Sequence, residues 1–175
     1  MNIELINYHD KELVPNVIQP IKGIVICKET GEFLLDLILD TDIDPVLLSS
    51  FVGALALFGL DNIGKIEEII IKGLNIEMLI VSRNDLTLVI IIDKNWETNI
   101  LREEAEEALN MFYNTYKNEI KKSPINIGKF ESFKNLLNLQ IKEYFKKVGI
   151  NNGIQDFGFF TDAIKKQRNH RLELL

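Results

Sequence analysis

The sequence predicts an α+β domain: a five-stranded antiparallel sheet with helices packed on it, in the core order β-β-α-β-β-β-α, followed by further C-terminal helices. Three observations carry this. Residues 65–94, KIEEIIIKGLNIEMLIVSRNDLTLVIIIDK, hold three β-branched apolar runs separated by Gly-Leu-Asn and Arg-Asn-Asp, the composition of strands joined by tight turns. An uncharged stretch, PVLLSSFVGALALFGL, precedes them and is far too long for one strand. Residues 99–148 then carry apolar positions at steps of three and four, the spacing of helix faces.

Taken in order, residues 1–20 form an N-terminal arm punctuated by Pro15 and Pro20, with Asn2 to Tyr8 as a short strand or docked segment. A β-hairpin follows over Ile21 to Asp40. Its strands are IKGIVICK and EFLLDLIL, joined by Glu29-Thr30-Gly31, a short loop with glycine at its end. Asp44 suits a helix N-cap and Pro45 the first helical turn, where a missing N–H costs nothing, so a helix is predicted over Pro45 to Asn62. It is apolar nearly all round, which requires burial of more than one face. Ser49, Gly53 and Ala56 make a stripe of small residues on it that would let another backbone approach.

Three strands are expected over Ile66–Lys72, Ile76–Val81 and Leu86–Asp93, the last almost continuously apolar and therefore mid-sheet. Trp96 to Thr98 reads as a turn. The helix after it spans Asn99 to Lys121, with Leu101, Ala105, Ala108, Phe112, Tyr116 and Ile120 on its apolar side and Arg102, Glu103, Glu104, Glu106 and Glu107 mostly opposite, on a solvated face. Ser123-Pro124 ends it, and a helix over Lys129 to Val148 presents Phe130, Phe133, Leu137, Ile141, Tyr144 and Val148. A short terminal helix is expected beyond Gly153, its aromatic end (Phe157, Phe159, Phe160) docked and its basic end (Lys165, Lys166, Arg168) exposed. The domain organisation read from this is an arm over 1–20, a core over 21–122 and a C-terminal helical extension over 123–175. Joining hairpin and meander through the uncharged helix gives the strand order 2-1-5-4-3, which leaves the Ile66–Lys72 strand at an edge.

Composition narrows function. The chain has 175 residues and a net charge of -6, which weighs against nucleic acid as a partner. The single cysteine, Cys27, permits neither an internal disulfide nor a cysteine zinc site and reads as a small buried hydrophobe. The N-terminus lacks a signal-peptide pattern and no apolar run approaches the ~20 residues of a membrane span, so a cytoplasmic location is expected, with peripheral membrane association left open.

Chemistry is sparse. His9 and His170 lie at opposite ends of the chain and outside any metal-ligand spacing. Asp40, Asp42 and Asp44 have the start of a calcium-loop pattern, but Pro45 and Phe51 stand where that loop needs Gly and Glu. No phosphate-binding glycine motif is present, and Asp156-Phe157-Gly158 lacks the partners of a kinase. No catalytic residue, cofactor or metal is expected.

Four stretches between Ile21 and Ile120 resemble the roadblock/LC7 and longin superfamily: the hairpin IKGIVICKETGEFLLDLIL, the helix SSFVGALALFGL, the meander EEIIIKGLNIEMLIVSRNDLTLVIIID and the helix entry NWETNILREEAEEAL, with Asn99, Ile100, Leu101 and Arg102. The resemblance implies a non-catalytic platform. It would pair as a homodimer, or with a related longin or roadblock subunit, and serve Ras-like small GTPases or scaffolds in trafficking and motor complexes. The expected interface comprises Ser49, Gly53 and Ala56 on the helix with Ile69, Ile70 and Ile71 on the edge strand. Two other readings fit the same elements: a PAS- or profilin-like sensory module with an apolar ligand between sheet and helix, and a structural subunit of a larger hetero-complex.

Overall fold

A computed structural model describes residues 20–94 and 99–147 of the chain. The N-terminal arm, the turn at Trp96 to Thr98 and the terminal helix expected beyond Gly153 lie outside the described residues. The elements are β1 (Ile21–Lys28), β2 (Phe33–Ile38), α1 (Pro45–Asn62), β3 (Glu68–Lys72), β4 (Ile76–Arg83), β5 (Leu86–Asp93), α2 (Asn99–Ile120), a 3-10 turn (Ile127–Phe130) and α3 (Phe133–Lys147). The sheet runs β2-β1-β5-β4-β3, antiparallel throughout, as the sequence predicts.

Local chemistry sets these bounds. Asp44 caps α1, its Oδ1 accepting from the backbone N–H of Val46 at 2.8 Å and of Leu47 at 2.9 Å, and Pro45 opens the helix. Asn84 and Asp85 make the β4–β5 connection with φ of 55° and 60°, the paired left-handed residues of a two-residue hairpin turn. β4 therefore extends to Arg83, two residues past the expected Val81. β3 begins at Glu68 rather than Ile66, because Ile66 turns its side chain under Gly59 of α1 instead of joining the ladder. The helix expected over 129–148 is divided: Phe130 closes the 3-10 turn and α3 starts at Phe133.

The sheet has two apolar faces. On one, α2 and α3 lie side by side over Ile24, Ile26, Leu35, Leu79, Leu88 and Ile90. Phe112 meets Phe130 and Phe133 at ring separations of 5.2 and 5.0 Å, so the segment after α2 is welded into the same core. On the other face, α1 lies across β1 and β2, with Leu48 and Val52 on Val25, Cys27, Val89 and Ile91. The almost continuously apolar β5 is central and covered on both sides.

Candidate functional site

α1 determines which surfaces remain open. At 100° per residue its buried positions, Leu48, Ser49, Val52, Gly53 and Gly59, fall in one arc. The opposite arc carries Leu47, Phe51, Ala54 and Phe58 at steps of four and three, flanked by Val46 and Leu57, with only Ser50 and Asp61 polar among them. Leu47 is 71% exposed and Phe58 60%. By length and composition α1 is also the one helix among the described residues apolar enough to cross a membrane. Its inner arc is nevertheless committed to the sheet, as the burial of Leu48 and Val52 shows.

Of the expected interface, the small-residue stripe faces inward. Gly53 sits against Gly31 of the β1–β2 turn so closely that a Cβ on Gly53 would stand 2.5 Å from the Gly31 Cα and 2.6 Å from its nitrogen. Gly31 has a φ of 88°, a conformation that suits glycine, so two glycines make a backbone-to-backbone crossing within the protomer. Ser49 is fully buried, its hydroxyl donating to the Pro45 carbonyl at 2.7 Å. Ala56 is half-buried. The close approach that these residues permit is therefore made by the chain's own hairpin, and Ser49 and Gly53 are not free to meet a partner. Cys27 lies under the same region; burial pushes its thiol up to about 11, with Ser49 pulling weakly the other way.

The edge strand is divided. Ile69 and Ile71 lean toward the α1 side of the sheet, beside Ile76 and Met78, and all four are only half-buried because α1 covers β1 and β2 rather than β3 and β4. Ile70 points to the other face and is 43% exposed. Among the described residues β3 pairs with β4 alone, so its outer ladder is open. The outer arc of α1, the half-covered floor beside it and the β3 edge thus lie on one side of the molecule. The sequence reading missed Leu47, Phe51 and Phe58. A helix apolar all round gives no periodicity to say which side turns in, and only the crossing with Gly31 decides it.

The α2 face is closed. Glu104, expected among the solvated glutamates, is 8% exposed. It lies under α3, where Gln140 Nε2 donates to its Oε2 at 3.1 Å and Lys147 pairs with its other oxygen. Glu106 bridges Arg83 at 3.1 Å and Arg102 at 3.2 Å, and Arg102 also reaches Glu68, tying α2 to the edge strand. The void between α3 and the sheet, near Ile21, Leu101 and Tyr144, amounts to about 20 Å³, room for a single water and not for an organic ligand. No group of three His, Cys, Asp or Glu side chains that could hold a metal occurs among the described residues.

The described residues thus form a five-stranded antiparallel sheet ordered 2-1-5-4-3, with the crossover helix on one face and the following helices on the other. Among solved structures, the chain is similar to a roadblock/LC7 domain from Streptomyces avermitilis, at 10% identity and a TM-score of 0.48, covering 56% of this chain and 86% of that one. It is also similar to Myxococcus xanthus MglB, at 16% identity and a TM-score of 0.46, covering 54% and 85%. The gliding protein MglB from Thermus thermophilus aligns at 14% identity and a TM-score of 0.39, covering 50% and 79%. No protein-family model matches the chain, and no curated protein does.

Proposed function

We propose that this chain is a non-catalytic protein-interaction platform that associates through the outer face of α1 and the neighbouring β3 edge, and that a Ras-like small GTPase is its client. One observation carries the reading. A folded helix keeps its committed side on its own sheet and turns Leu47, Phe51 and Phe58 outward, with an open strand edge on the same side. Single exposed apolar residues need no explanation, but a contiguous apolar stripe marks an interaction surface. An open edge gains ladder hydrogen bonds when a second strand is added. A second copy supplies both complements at once, because a two-fold pairing brings helix to helix and edge to edge.

The GTPase client comes from the resemblance of the hairpin, helix and meander to roadblock and longin domains. A cytoplasmic setting fits the single reduced cysteine. The sensory-module reading finds little support at the α2–α3 face, where the void has room for about one water. The test is capture of purified Ras-like GTPases on the immobilised full chain, each GTPase loaded in turn with GDP and with a non-hydrolysable GTP analogue. Nucleotide-dependent retention, lost in Phe51→Glu/Phe58→Glu, is the expected result. Retention of none of them in either state would remove the GTPase from the reading, leaving a scaffold for other partners.

A further inference from the structure

The open β3 edge carries a pattern of its own. Over Glu68–Lys72 the strand reads Glu-Ile-Ile-Ile-Lys, negative at one end and positive at the other. The bonds at its two ends set its hydrogen-bonding phase. Gly73 N–H donates to the Ile76 carbonyl and Ser82 N–H to the Glu67 carbonyl, each at 2.9 Å. Bonded pairs alternate along an antiparallel ladder, so Glu67, Ile69, Ile71 and Gly73 turn their peptide groups toward β4. Glu68, Ile70 and Lys72 turn theirs to the open edge. Side chains alternate with the same period. Ile69 and Ile71 lie on the α1 face, and Glu68, Ile70 and Lys72 lie on the α2 face, where Glu68 bridges Arg102 at 3.1 Å.

An antiparallel second copy meets all three outward residues in one register. With the two-fold axis at Ile70, Ile70 faces Ile70, and Glu68 of each copy faces Lys72 of the other. Each facing pair then exchanges both of its backbone bonds. On the α1 face Ile69 meets Ile71, which carries the half-covered apolar floor across the axis. On the α2 face Ile70, 43% exposed, is covered by its mate. Lys72 already stands opposite Glu77 of β4, and Glu68 leads through Arg102 to Glu106 and Arg83. The pairing would join these into one row of alternating sign: Glu77 and Lys72 of one copy, then Glu68, Arg102, Glu106 and Arg83 of the other. Other arrangements lose it. A slip of two residues sets Ile70 against Glu68 or Lys72 and separates both charge pairs. A slip of one sets outward peptide groups against inward ones. A parallel approach sets Glu68 beside Glu68 and Lys72 beside Lys72. Charges on an edge ordinarily deter strand addition. An opposite pair placed symmetrically about Ile70 deters strands that lack the same pattern.

We propose that Glu68 and Lys72 are the specificity-determining residues of the β3 edge, restricting it to a second copy of this chain in the register centred on Ile70. This rests on the reading of that edge as part of the association surface. The test is sedimentation of full chains across a concentration series: the parent, Glu68→Lys, Lys72→Glu, and an equimolar mixture of the two variants. Each reversal alone sets like charges at both contacts and should raise the concentration at which the chain self-associates roughly tenfold or more. In the mixture the two variants complement each other at both contacts, and association should return to within about threefold of the parent midpoint. Glu68→Lys also removes the Arg102 bridge, but it does so equally alone and mixed, so that loss cannot imitate the rescue. Rescue also shows that both variants remain folded. Single reversals that self-associate like the parent would overturn the proposal and leave the platform reading standing through α1. A mixture that associates no better than its components would also overturn it. A parent that stays at protomer mass yet retains a GTPase, with retention lost in Lys72→Glu, would assign the edge to the GTPase instead of a second copy. A parent that neither self-associates nor retains a GTPase would overturn this proposal and the platform reading together.

Discussion

Replacing Gly53 with alanine should destabilise the protein, although alanine is the better helix former. In an exposed helix interior the change would gain about 1 kcal/mol. Here the new methyl would stand 2.5 Å from the Gly31 Cα and 2.8 Å from the Thr30 carbonyl carbon, distances that require backbone to move. The hairpin cannot easily retreat, because Gly31 N–H is held by the Lys28 carbonyl at 2.8 Å and its φ is already left-handed. α1 must lift instead, which costs about 1–3 kcal/mol as overpacking. Partial exposure of Leu48 and Val52 adds a share of the roughly 1.5–3 kcal/mol that each gains from burial. The expected net loss is about 2 kcal/mol, or roughly 4–8 °C in a chain of this size, measured by urea and thermal unfolding. Gly59→Ala is the internal control. Its methyl would meet Ile66 Cδ1 and Cγ1 at 2.5 Å and the Gly64 carbonyl oxygen at 3.2 Å, mainly a side chain rather than a crossing backbone, so Gly59→Ala should cost less than Gly53→Ala. A Gly53→Ala protein as stable as the parent, or more so, would refute the claim that the small-residue stripe is spent on the chain's own hairpin.

Other consequences follow from named contacts. Phe51→Glu/Phe58→Glu changes only the outer arc of α1 and should leave the unfolding midpoint within about 0.5 kcal/mol of the parent, as surface substitutions do; circular dichroism during urea titration reports it. Glu104→Ala removes the carboxylate that Gln140 and Lys147 share beneath α3 and should cost about 1–3 kcal/mol, with amide exchange rising in α3 and not in α1. Cys27 imposes a pH dependence of known sign. Burial raises the folded thiol from 9.0 to about 11, so the unfolded chain ionises first as pH rises. The contribution is fully present below pH 9 and is lost between about 9 and 11, amounting to ~3 kcal/mol at most for a shift of this size. Cys27→Ala should flatten that part of the stability–pH curve, and the native thiol should resist alkylation at neutral pH.

Much of the sheet was legible in sequence because strands and turns carry local signals. Asn84-Asp85, Gly73-Leu74-Asn75 and Gly31 marked three turns, the β-branched runs of 66–93 the strands and the central place of β5, and strand order followed from the shortest connections. The errors fell where tertiary contact decides. Ile66 left the ladder to fill the space beneath Gly59, and the helical pattern of 129–148 gave no sign of its break before Phe133. Glu104 looked like its neighbours Glu103 and Glu107, and only the packing of α3 singles it out. The interface residues were hardest. Small residues invite a close approach in either direction, and nothing local distinguishes a partner's backbone from Gly31 of the same chain.

The most direct test of the central claim is the solution mass of the full chain by light scattering across a concentration series, for the parent and for Phe51→Glu/Phe58→Glu. The parent should rise from 20.1 kDa toward twice that mass as concentration increases, while the variant stays at the protomer mass. Identical masses for the two proteins at every concentration would contradict the assignment of the outer face of α1 as the surface through which this chain associates.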